Sequence, residues 1–78
     1  MKNLFEVGIA DCIPEDNSVK RNLIKIYESK EKAIQGIKLI DCVLKENQYY
    51  YIFEQGNIEL YDKKYNYVSN SEIFSSVT

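Results

Sequence analysis

From Leu4 to Ala10 the chain alternates, with Phe5, Val7 and Ile9 on one side and Leu4, Glu6, Gly8 and Ala10 on the other. A period of two is what a half-buried β-strand requires. Pro14, the single proline, opens Pro14-Glu-Asp-Asn-Ser, whose composition marks a turn. Asn22-Leu-Ile-Lys-Ile-Tyr-Glu follows, dense in β-branched and aromatic residues, and predicts a second strand. In that strand Ile24 and Ile26 are expected to face the core, with Leu23, Lys25 and Tyr27 on the opposite side.

The period then changes. Ser29 is a capping residue, and a helix is expected from about Lys30 to Glu46. Ala33, Ile34, Ile37, Ile40 and Leu44 form its apolar stripe, the pattern of a helix lying on a sheet. Leu39, Cys42 and Val43 fall outside that stripe and are candidates for a packing fringe or a partner contact. A rival reading exists, because Val19, Leu23, Ile26, Lys30, Ala33, Ile37, Ile40 and Leu44 keep a heptad spacing. One helix from Ser18 to Glu46 would then form a dimeric coiled coil. Lys30 at a core position and the strand-like Leu-Ile-Lys-Ile-Tyr segment favour a strand followed by a helix.

Six of the seven tyrosines lie between Tyr49 and Tyr67, and most of that segment reads as a β-hairpin. Gly56-Asn57 is a two-residue turn signal. It pairs Phe53 with Leu60, Ile52 with Tyr61, and Glu54 with Glu59. One face carries Tyr49, Tyr51, Phe53, Ile58 and Leu60, and the other Tyr50, Ile52, Tyr61 and Lys63. Two glutamates facing each other belong in water, so the second face is expected to point outward. A short edge strand is expected at Tyr65-Asn-Tyr-Val, after a turn at Asp62-Lys-Lys.

These elements predict a single α+β domain over residues 1–70, ordered β-β-α-β-β with a short fifth strand. One helix packs on one face of an antiparallel-rich sheet. Phe5, Val7, Ile9, Ile24, Ile26, Ile37, Ile40, Leu44, Tyr51, Phe53 and Leu60 are the expected core. Residues 71–78 read as a tail, frayed or docked through Ile73 and Phe74.

Length and charge narrow the function. Seventy-eight residues make one domain with a small core and little room for a deep active-site cavity. The net charge of −2, with acids and bases interspersed, gives no bulk attraction to nucleic acid. The amino terminus lacks the pattern of a signal peptide, and no stretch approaches the roughly 20 apolar residues of a membrane span. The expected location is cytoplasmic. Cys12 and Cys42 are expected to be reduced, since two cysteines make no disulfide framework.

The chain has no histidine to serve as base for a cysteine nucleophile. Asp11, Glu15 and Asp16 match no calcium-loop spacing, and Gly8, Gly36 and Gly56 form no phosphate cradle. No enzymatic activity and no cofactor or metal are expected. The side chains instead suit recognition, in which tyrosine is a favoured anchor. Leu23, Tyr27, Tyr50, Ile52 and Tyr61 are the candidate partner-binding residues on the outward face, with Leu39 and Cys42 on the helix fringe. The partner expected is a larger protein, or a second copy forming a homodimer. The alternative is a nucleotide or single-stranded nucleic acid stacked on the tyrosine face beside Lys20, Arg21 and Lys25. The Lys/Asn/Ile/Tyr-rich composition is similar to that of short proteins of low-GC bacteria and their phages. That resemblance implies an accessory inhibitor or adaptor acting on a host protein.

Overall fold

In the computed structural model, which describes residues 3–69, the early alternation becomes β1 (Phe5–Ile13). A turn at Pro14–Asn17, closed by Asn17 at positive φ, returns the chain as β2 (Ser18–Tyr27). Ser29 caps α1 (Lys30–Lys38), its hydroxyl accepting from the Lys32 N–H at 3.2 Å. β3 (Gln48–Glu54) and β4 (Asn57–Tyr61) form the tyrosine hairpin, and β5 (Tyr67–Val68) adds a short edge. The strands make one antiparallel sheet ordered β2-β1-β3-β4-β5. This is the expected α+β architecture, and the coiled-coil reading falls because Ser18–Tyr27 is extended. Residues 70–78, including Ile73 and Phe74 of the expected tail, lie outside the described residues.

The helix is shorter than its periodicity suggested. It ends at Lys38, where the Leu39 N–H donates to the Gly36 carbonyl at 3.1 Å and the Ile40 N–H to the Ile37 carbonyl at 3.2 Å. Asp41, Cys42 and Val43 are poor helix formers, so the turn is not propagated. Ile40 and Leu44 still pack against the same cluster as Ala33, Ile34 and Ile37, now from non-helical chain.

The two faces of the sheet are as expected on β3 and β4, but the helix covers the other one. Val7 lies opposite Ile52 and Ile9 opposite Tyr50. The helix therefore rests on Val7, Tyr50 and Ile52, flanked by Phe5, Tyr27 and Tyr61. Tyr51 and Leu60 sit on the reverse face with Ala10 and Cys12, flanked by Tyr49, Phe53, Ile58, Val19 and Val68. The physical reason is register. The turn is Gln55-Gly56, both at positive φ, so Glu54 pairs with Asn57 and Ile52 with Glu59. No glutamate pair forms. Glu59 instead receives the Lys30 ammonium from the helix start at 2.8 Å.

A second correction concerns β2. The ladder to β1 has a bulge between Val7 and Gly8, so Lys25 faces Val7 while Leu23 faces Gly8. Ile24 and Ile26, expected in the core, are among the exposed large hydrophobics.

Burial pushes the Tyr49, Tyr50, Tyr51 and Tyr61 hydroxyls and the Cys12 thiol above their ordinary values. Each group holds its proton more tightly when folded than when unfolded. Their contribution is therefore complete below the ordinary thiol value of 9.0 and is lost as pH rises past the tyrosine value of 10.0 through the raised ones. Melting temperature is expected to fall steadily from about pH 9 to about pH 11. A flat profile across that window would show that these groups titrate alike in both states.

Candidate docking flank at the outer strand

β2 is the long edge of the sheet: among the described residues no strand pairs with its outer side. An unpaired edge turns half of its backbone N–H and C=O groups to the outside. The Cys12 N–H donates to the Asn47 carbonyl at 2.9 Å, which aims Cys12 at the β3 side. By alternation Ile9 and Asp11 aim at β2 and bond to Asn22 and Lys20, their register partners. Arg21 and Leu23 are then, with Val19 and Ile26, residues whose backbone groups point outward.

The bulge also sets the side chains. Leu23 and Ile26 lie opposite Gly8 and Glu6, on the face away from the helix. Ile24 turns to the helix side and is 53 % exposed. There, with Val7, Ile9, Tyr27, Leu39 and Ile40, it lines an open groove of about 500 Å³ between β2 and the end of α1. Lys25 and Asp41 stand at the same groove, as does Cys42. Leu39 and Val43, beyond the helix end, are 79 % and 89 % exposed. Single exposed aliphatics are ordinary; several around one groove are the usual mark of an interaction surface.

The electrostatics are one-sided. β2 carries Lys20, Arg21 and Lys25 and no carboxylate, in a chain of net charge −2. Arg21 reaches Glu6 at 3.3 Å and lies 3.7 Å over the Phe53 ring, on the face away from the helix. The Lys25 ammonium sits 5.3 Å from the centre of the Tyr27 ring. Asp11 is tied up by Gln48 and Asn22, which donate to its carboxylate at 2.8 and 2.9 Å and lower its pKa. Glu15 and Asp16 are exposed in the turn. Among the described residues no group of side chains is arranged to hold a metal ion. Both cysteines are free, Cys12 buried and Cys42 exposed. No helix among the described residues is long and apolar enough to cross a membrane.

The expected partner-binding residues divide accordingly. Leu39, Cys42 and Tyr27 come together at the groove, and Leu23 lies on the same strand facing the other way. Tyr50 and Ile52 are buried at 4 % and 2 % exposure, and Tyr61 is half-buried beside them, so these three sit in the core under the helix. Their expected outward placement is corrected by the β1–β3 register. Ile24, Ile26 and Val43 join the exposed set, the first two having been assigned to the core. The sequence cue was Gly8, since glycine inside a strand marks a bulge or a close backbone approach.

Compared with protein-family models, with curated proteins and with solved structures, the chain matches none of them.

Proposed function

We propose that this domain is a protein-binding module, non-enzymatic, which engages a larger partner through the flank formed by β2 and the end of α1. The observation that carries this reading is the exposure of Ile24 and Leu39 at one apolar groove beside an open strand edge. In finer terms, the proposal is a cytoplasmic inhibitor or adaptor encoded by a phage or mobile element, blocking or bridging a host protein. The nucleotide alternative needs Tyr50 and Tyr61 as a stacking platform, and both lie against the helix-covered core.

A peptide library displayed on phage, panned against the immobilised full chain, tests the surface. Enriched peptides are expected to bind the double variant Ile24→Asp/Leu39→Asp at least ~10-fold more weakly, as for paired hot-spot residues. Both positions are exposed, so the melting temperature should stay within a few degrees. Enrichment that ignores the double variant, or no enrichment, would overturn the proposal.

A further inference from the structure

We infer that the β2 edge is a strand-addition site for an extended partner segment that alternates acidic and apolar residues. This rests on the protein-binding reading and specifies how the partner is held. Backbone groups of Arg21 and Leu23 face outward, so an added strand gains ladder hydrogen bonds there, while side-chain complementarity selects it. Directly opposite residues share a face of the sheet. Lys20 and Lys25, opposite Asp11 and Val7, therefore lie on the helix side. Leu23 and Ile26 lie on the reverse, beside Arg21, whose guanidinium is already paired with Glu6 at 3.3 Å. A segment with carboxylates on one side and aliphatics on the other satisfies both rows at once.

Charge also argues against a second copy as occupant. Antiparallel self-pairing centred between Asn22 and Leu23 sets Lys20 opposite the copy's Lys25. Centring on Leu23 sets Arg21 opposite Lys25. Any such pairing aligns two strands that have three cations each and no acid, and like charges across a ladder are destabilising.

The test uses the full chain and two end-blocked peptides as long as β2, one alternating glutamate and valine, the other lysine and valine. Binding is followed by titration, and amide hydrogen exchange is measured residue by residue. The glutamate peptide should bind at least ~10-fold more tightly than the lysine one and slow exchange at the Arg21 and Leu23 amides. Lys20→Glu/Lys25→Glu should reverse the preference. Protection confined to Leu39 and Ile40 would overturn strand addition while leaving the groove, and the protein-binding reading, intact. Equal affinity for both peptides, or binding of neither, would overturn it too. So would Arg21 and Leu23 amides already protected in the free protein: concentration-dependent protection would assign the edge to a second copy, and concentration-independent protection to the chain's own residues 70–78. Loss of the protein-binding reading itself would show separately, in selected peptides that ignore Ile24→Asp/Leu39→Asp.

Discussion

Gly8→Ala is expected to destabilise the domain by about 3 kcal/mol or more. A Cβ at that position would lie 2.0 Å from the Asn22 carbonyl oxygen and 2.9 Å from both the Asn22 carbonyl carbon and Tyr51 Cε2. Two of those atoms are backbone and have no rotamer to escape into. β2 would have to slide off β1 at the bulge, where the ladder is already irregular. A chain of this length has roughly 4–12 kcal/mol of total stability, so the loss is a large share. Gly36→Ala makes the comparison informative. Its Cβ would meet the far end of the Tyr27 ring at 2.4 Å, and that half-exposed side chain can swing outward. Urea midpoints of the two variants should therefore separate clearly, with Gly8→Ala the lower. Equal midpoints would mean that β2 moves away from Gly8 as easily as the Tyr27 ring moves from Gly36.

The same crowding explains what the sequence showed and what it hid. Local signals located the elements well. Alternation placed β1, Ser29 placed the start of α1, and the Tyr49–Tyr61 run placed the hairpin and its two faces. Long-range choices were less visible. Which hairpin face meets the helix depends on whether Val7 lies opposite Ile52 or one residue away, and nothing local to either strand reports that. Glu54 and Glu59 do not face each other, because the turn sits one residue earlier than Gly56-Asn57 and shifts the ladder by two. Glu59 then finds Lys30, a partner 29 positions away. The docking flank was half legible: Leu39 and Cys42 follow from helical periodicity, whereas Ile24 and Ile26 looked like core. The bulge beside Gly8 turns Ile26 to the face away from the helix, whereas Ile24 keeps the helix side and is exposed at the groove; a bulge leaves no mark except the glycine.

Tyr51 offers the sharpest contrast between a side chain's bulk and its polar tip. It is fully buried on the face away from the helix, its ring edge against Gly8, and its hydroxyl has no hydrogen-bond partner among the described residues. Tyr51→Ala removes the largest fully buried side chain among the described residues and is expected to cost about 3–5 kcal/mol. Tyr51→Phe keeps the ring and removes an oxygen desolvated without compensation, a penalty of roughly 1–3 kcal/mol for such a group. It should therefore be neutral or stabilising. Tyr50→Phe, next in sequence on the opposite face, should go the other way. The Tyr50 hydroxyl donates to the Cys42 carbonyl at 3.2 Å and ties the segment after α1 to the sheet. Losing that bond should cost about 1 kcal/mol. Equilibrium urea unfolding of the three variants beside the parent measures all of these values together. If Tyr51→Phe falls as far as Tyr50→Phe, the Tyr51 hydroxyl has a partner in solution, and its burial is not the source of strain on this face.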